Sequence, residues 1–367
     1  MAGLKFSRGR SHFHVAIPIF LAFIVIAAFF GFEQLQGTDK GDQATDRNDR
    51  SGDEPGLETS PPGKVMVLNA NLREAHPLWL DDIKGKEGVL DLEYSGELSN
   101  FADHLRDHLP YAPDVLLLQE VIGPSVEQTA LELRETLNRP YRVVLGGHNS
   151  NLIGPKGDDL KHKRNTAIII NESTMEVVGE PGFMTLQMQE GDEPPHEPRI
   201  AQEQAYGLLR DRRTDLDLAV MSIHWSTTYH FASRELASER RAQWAREVRA
   251  FMLDRYSEAP MSVMAGEFNA PRCLGGTESL RCDESAPWKT VTSEPSAYQD
   301  AVYVVHRESP GDFFEQATNR SGAQRRIDFI FARPNIYAAS RSVDYNTRQY
   351  TPGFISDHKY DYALIGG

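Results

Sequence analysis

The chain has 367 residues, 40% hydrophobic and 25% charged, a globular composition that excludes disordered and collagen-like classes. That length holds one large domain or two ordinary ones. A net charge of −14 excludes a global cationic field that would hold the protein on nucleic acid, while leaving room for an enzyme that grips a few phosphates locally.

Residues 15–32, from Val15 to Phe32, carry no charge and are almost wholly apolar, broken only by Pro18. As a helix rising about 1.5 Å per residue, the run measures about 27 Å, enough to cross a hydrocarbon core. Lys5, Arg8 and Arg10 precede it without an acidic residue. The positive-inside rule therefore keeps residues 1–14 cytoplasmic and exports everything after Glu33. The reading is a single-pass signal anchor that ties the protein to the cell membrane. Secretion after signal cleavage is the alternative, although Phe32-Glu33-Gln34-Leu35-Gln36 offers no small-x-small site. Residues 33–63 are acidic and rich in Gly, Asp, Ser, Thr and Pro. With so little apolar area to bury, they read as a flexible stalk.

From 64 to 367 the pattern is that of a folded domain. Apolar runs of strand length lie at 65–68, 115–118, 142–145, 167–170, 218–221, 261–264, 302–305, 327–331 and 360–365. Several are continuous, as in strands buried on both faces. Val126, Ala130, Leu133 and Leu137 form an amphipathic helical stripe between Pro124-Ser125 and Pro140. Residues 233–256 read as a longer helix. Residues 182–214 are polar, with Pro194, Pro195 and Pro198, and read as a long surface loop. Interleaved strands and helices favour an α/β layered domain. Cys273 and Cys282 flank a loop-like stretch; in an exported domain they suggest one disulfide, and two free thiols are the alternative.

The chemistry-bearing side chains fall at strand ends, where ligands bind. Asn69 and Asn71 end the first run, two apart and so on one face; they suit orienting a phosphate or a metal-bound water, and equally suit a turn. Glu120, after Leu116-Leu117-Leu118-Gln119, suits a hard cation such as Mg²⁺. His224 closes another run and can donate to a phosphoryl oxygen. Glu267 and Asn269 follow Gly266, again two apart. Arg326 and Asp328 share a face; the bland reading is a surface salt bridge. Ser356-Asp357-His358 sets a carboxylate beside a potential base, and a serine triad is disfavoured because no Gly-x-Ser-x-Gly elbow occurs.

Taken in order, Leu68-Asn69-Ala70-Asn71, Gln119-Glu120, Asn165-Thr166-Ala167-Ile168 with Arg164 before it, His224, Gly266-Glu267-Phe268-Asn269, Arg326-Ile327-Asp328-Phe329-Ile330-Phe331 and Ser356-Asp357-His358 resemble the endonuclease/exonuclease/phosphatase superfamily, of deoxyribonuclease-I-like fold. The resemblance spans residues 64–365. It implies a four-layer αββα sandwich of two packed mixed sheets. It implies metal-dependent phosphoester hydrolysis, with Mg²⁺ or Mn²⁺ on Glu120, joined by Asn69 and Asp328. His358, oriented by Asp357, would be the base. His224, Glu267 and Asn269 would complete the catalytic set, and Asn71, Arg164 and Asn165 the phosphate grip. Glu267 stands where the family usually has Asp, a difference of about 1 Å in reach. The leading substrate is DNA or RNA, favoured by local cations at Lys161, Lys163, Arg164, Arg325 and Arg326 and by a cysteine pair placed as in secreted deoxyribonucleases. Sphingomyelinase-type or phosphoinositide hydrolysis is the alternative, and a catalytically silent surface binding module a second. No obligate protein partner is implied.

Overall fold

Successive side chains on a strand turn to opposite faces, so a continuous apolar run must be covered on both sides. The computed structural model of the protein describes residues 56–72, 92–121, 123–146, 160–163, 165–196, 199–270, 286–294, 298–306, 326–341, 358 and 360–367. Its strands are β1 (Lys64–Asn71), β2 (Val115–Gln119), β3 (Tyr141–Leu145), β4 (Leu160–Lys163), β5 (Thr166–Asn171), β6 (Met175–Val177), β7 (Gly182–Gln187), β8 (Arg199–Asp211), β9 (Leu216–His224), β10 (Met261–Glu267), β11 (Gln299–Asp300), β12 (Asp328–Arg333), β13 (Asn335–Arg341) and β14 (Asp361–Gly366). Its helices are α1 (Leu92–His108), α2 (Gly123–Leu137), α3 (Arg234–Arg255), α4 (Ala286–Thr292) and α5 (Ala301–His306).

Two mixed sheets result. One runs β13-β14-β1-β2-β5-β3, and the other β11-β12-β10-β9-β8-β4 with β6 and β7 beside β8. Val65, Val67, Val115, Leu117, Ile168 and Ile170 of the first sheet meet Leu218, Val220, Val263, Ala265 and Ile330 of the second in a dry inner layer. The opposite face of the first sheet, with Leu68, Leu116, Leu118 and Ile169, packs on Leu98, Phe101 and Leu105 of α1 and on Val126, Ala130 and Leu133 of α2. Ala219, Met221, Ile223 and Met264 of the second sheet pack on Trp244, Val248 and Met252 of α3. The architecture is therefore the expected four-layer α/β/β/α sandwich.

Three expectations need correction. Residues 56–63, expected within the stalk, pack on the domain. Ala112 N donates to Glu58 O at 2.7 Å, Arg139 donates to Leu57 O, and buried Ser60 Oγ bonds the Asp114 carboxylate. The stretch 182–214 is not a loop but holds β7 and β8. Its prolines fall between the two strands, and Gln202, Glu203 and Gln204 are polar but buried. Residues 302–305 form α5 rather than a strand, because Asp300 Oδ1 accepts from Tyr303 N at 3.3 Å and caps the helix. The anchor at 15–32, Cys273 and Cys282 lie outside the described residues. Among the described residues, no helix is long and apolar enough to cross a membrane.

Gly266 sets how closely β10 approaches β9. Its φ is 154°, and a Cβ there would stand 1.8 Å from Ile223 O, a backbone atom that cannot turn aside. Gly266→Ala is expected to destabilise the domain by about 3 kcal/mol or more, measured by urea denaturation; an unchanged midpoint would refute this packing.

Candidate active site

The site is a row across the second sheet. Glu267 on β10 pairs with His224 on β9 and with Asp328 on β12. Side chains in one row point to one face, so all three rise at the end of the inner layer. Asn71 ends β1 opposite Gln119 of β2 in the first sheet. Glu120 follows β2 with a φ of 52°, and Asn269 follows β10 with a φ of 49°. Non-glycine residues seldom take that conformation, and it turns the chain sharply at both strand ends. His358 sits just before β14 of the first sheet.

Glu267 Oε2 is the common point. It accepts from Asn71 Nδ2 at 2.6 Å and lies 3.4 Å from His224 Nε2 and 3.9 Å from His358 Nε2. Burial pushes its carboxyl up. The charges of His358 and His224, with hydrogen bonds from His224 and Asn71, outweigh burial and hold it at about 2. His224 Nε2 also faces Glu120 Oε1 at 3.6 Å. The Glu120 side chain keeps 25% of its exposure, whereas that of Glu267 keeps 4%.

Each histidine is fixed from behind. His358 Nδ1 pairs with Asp328 Oδ2 at 2.9 Å, and His224 Nδ1 with Asn165 Oδ1 at 3.0 Å. Two roles therefore shift. A carboxylate behind His358 is Asp328, from another strand; Asp357, expected in that place, lies outside the described residues. Asn165, expected on phosphate, is buried and occupied by His224.

The asparagines also change places. Asn71 reaches Glu267, while Asn69 lies one step deeper in the inner layer, opposite Leu117, with neither amide atom hydrogen-bonded. Asn69 thus stands apart from the groups that surround Glu267. Asn269 Nδ2 donates to Trp225 O at 2.7 Å and ties the turn after β10 to β9. Arg326 is no surface cation. It is buried and forms a two-pronged pair with Asp300 at 2.7 and 2.6 Å. Burial works against the Asp300 carboxylate, but the Arg326 guanidinium holds its pKa below the ordinary range. Arg164 and Arg325 lie outside the described residues. Sequence reasoning missed Asp300 and also Gln204, whose side chain bonds the backbone of His224. Neither residue belongs to a recognisable motif.

Among the described residues, two clusters could hold a divalent ion. Glu120, His224 and Glu267 offer ligand atoms within 4.8 Å of one another, as do Glu267, Asp328 and His358. Glu120 and Glu267 supply hard oxygen donors, and partial exposure of Glu120 leaves room for the waters such ions keep. The donor set fits a hard divalent metal.

The sequence profile of the Endonuclease/Exonuclease/phosphatase family matches residues 91–358. No curated protein matches the chain. An endonuclease/exonuclease/phosphatase from Bacteroides vulgatus superposes with a TM-score of 0.52 at 16% identity, over 83% of this chain and 99% of that one. One from Beutenbergia cavernae DSM 12333 gives 0.51 at 20% identity, over 83% and 72%. D. rerio TDP2 complexed with single strand DNA product gives 0.51 at 15% identity, over 82% and 98%. At such identities the likeness establishes the shared fold, while the profile establishes kinship. The chain belongs to the endonuclease/exonuclease/phosphatase family and is a metal-dependent phosphoesterase.

Proposed function

We propose that the protein hydrolyses phosphodiester bonds of DNA or RNA by attack of water, with His358 as the base. The observation that carries this assignment is the 2.9 Å pairing of His358 Nδ1 with Asp328. A carboxylate only accepts, so Nδ1 holds the hydrogen and Nε2 is left facing the site as a basic nitrogen. The water's oxygen bonds phosphorus, its proton passes to Nε2, and the leaving oxygen departs with the electrons of the broken P–O bond. His224, held by Asn165, donates from Nε2 to a phosphoryl oxygen when protonated. Glu120 and Glu267 would hold Mg²⁺ or Mn²⁺, which when bound would supply positive charge to the phosphate.

Nucleic acid is favoured by the structural neighbour that carries a single strand DNA product. We further propose that residues 15–32 anchor the chain in the cell membrane with this domain outside, a reading carried by that apolar run and its basic flank. Protease added to intact cells should then remove the domain; full protection would overturn the export.

His358→Ala is expected to lower kcat by about 10²–10⁴-fold without unfolding the domain, and Asp328→Asn to lower it less, by single-turnover kinetics. Full activity of His358→Ala would sink the mechanism. Incubation with plasmid DNA, RNA, sphingomyelin and a phosphoinositide, with Mg²⁺ or EDTA, is expected to show Mg²⁺-dependent cleavage of nucleic acid. Cleavage of lipid alone would replace the substrate. Because the Glu267 pKa lies at about 2, below its ordinary 4.5, the stability it contributes is fully present above about pH 4.5 and lost as pH falls toward 2. Melting temperatures in EDTA over that window should fall less steeply for Glu267→Gln than for the unaltered protein.

A further inference from the structure

We propose that Gln204 is a positioning residue that aims His224 by standing in for a missing strand neighbour. The ladder between β8 and β9 runs from Asp211 opposite Leu216 to Tyr206 opposite Met221 and stops there. On its other side β9 stays paired with β10 as far as His224 opposite Glu267. β8 continues without β9 and pairs instead with β4, from Gln202 opposite Lys163 to Arg199 opposite Leu160. Between these two pairings lie Glu203, Gln204 and Ala205, and beside them Ser222, Ile223 and His224 have no ladder on the β8 side.

Backbone groups exposed in such a gap would be buried without partners, which is costly to the fold. Two side chains fill it. Thr166 Oγ1 accepts from Ala205 N at 2.9 Å and donates to Glu203 O at 3.0 Å, closing the β8 side. Gln204 closes the β9 side. Its Oε1 accepts from His224 N at 2.7 Å, and its Nε2 donates to His224 O at 3.2 Å. The amide thus offers His224 the same donor and acceptor that a neighbouring peptide would. Gln204 and Thr166 are both fully buried, so water does not compete.

The consequence falls on the imidazole. With both backbone groups held, the Cα–Cβ direction of His224 is fixed, and Asn165 then fixes the ring through Nδ1 at 3.0 Å. These restraints together set Nε2 at 3.6 Å from Glu120 and 3.4 Å from Glu267. Gln204 touches no reacting group and acts only through His224. The splitting of β8 from β9 frees the strand end for the site, and Gln204 restores the rigidity that the splitting removes.

The inference rests on the proposed role of His224, and a double-mutant cycle separates the two. The full chain is assayed on bis(p-nitrophenyl) phosphate with Mg²⁺. Gln204→Met keeps the shape of the side chain and loses both hydrogen bonds. It is expected to lower kcat by about 10–100-fold with KM changed less than about twofold, the effect of a displacement near 1 Å. In a His224→Ala background the same change is expected to alter kcat by less than about twofold. Equal losses in the two backgrounds would overturn the positioning role and leave that of His224 standing. Full activity of His224→Ala would overturn both. Gln204→Glu, which keeps the bond from His224 N, is expected to give intermediate kcat. It carries the same cycle if the methionine variant does not fold, with equal losses again overturning the proposal.

Discussion

The two sheets meet chemically at one buried carboxylate, that of Glu267. Asn71 reaches it from the first sheet at 2.6 Å, and His358 faces it from the segment before β14 of the same sheet. His224 and Asp328 flank it within its own sheet. A carboxylate excluded from water is costly unless opposite charge and donors surround it. Here two imidazoles and one amide do so, strongly enough to reverse the effect of burial on its pKa. The inner apolar layer sets the sheet spacing that brings these groups together. Val67 and Val65 lie two and three steps below Asn71 on its strand, and Ala265 and Val263 one and two steps below Glu267 on its own. Packing and chemistry are consecutive rows of one structure.

Much of this was legible in the sequence, because strands buried on both faces read as unbroken apolar runs and their ends read as polar residues. Glu120, His224 and Glu267 follow or close such runs, Asp328 and His358 stand at or just before the start of one, and all five gather. What failed is depth and direction. Asn69 and Asn71 share a face, and spacing alone does not say which lies beyond the core; the pairing of Asn71 with Gln119 does. A carboxylate behind the His358 imidazole comes from β12, a strand that sequence spacing does not place beside it. Residues 302–305 have strand composition, yet the cap from Asp300 and the buried face of Ala301 and Val302 make them helical. Gln202, Glu203 and Gln204 look like loop because buried polar side chains are rare, and here they are buried because β8 carries the hydrogen bonding around the site.

Arg326 shows how far a local reading can stand from the role a residue takes. Its alternation with Asp328 reads as a surface pair, and its charge as a phosphate contact. In the fold it is buried and committed to Asp300, with Asp361 and Asp328 nearby. Burial works against its charge and these carboxylates raise its pKa. It packs at 4.6 Å over the ring of Phe329, beneath the dyad of Asp328 and His358. Its positive charge thus serves the architecture behind that dyad and is not offered at the surface.

The two histidines are nearly symmetric about Glu267, but what stands behind them is not. His358 is backed by a carboxylate, which accepts from Nδ1 and leaves Nε2 facing the site. His224 is backed by a neutral amide, which fixes the ring with less electrostatic gain. Its position depends instead on the backbone, held by Gln204 on one side and β10 on the other. A base that must accept a proton gains from a charge behind it, whereas a group that must point at a phosphoryl oxygen gains from rigidity. The surroundings of each histidine match one of these demands, and that asymmetry is what favours His358 over His224 as the proposed base.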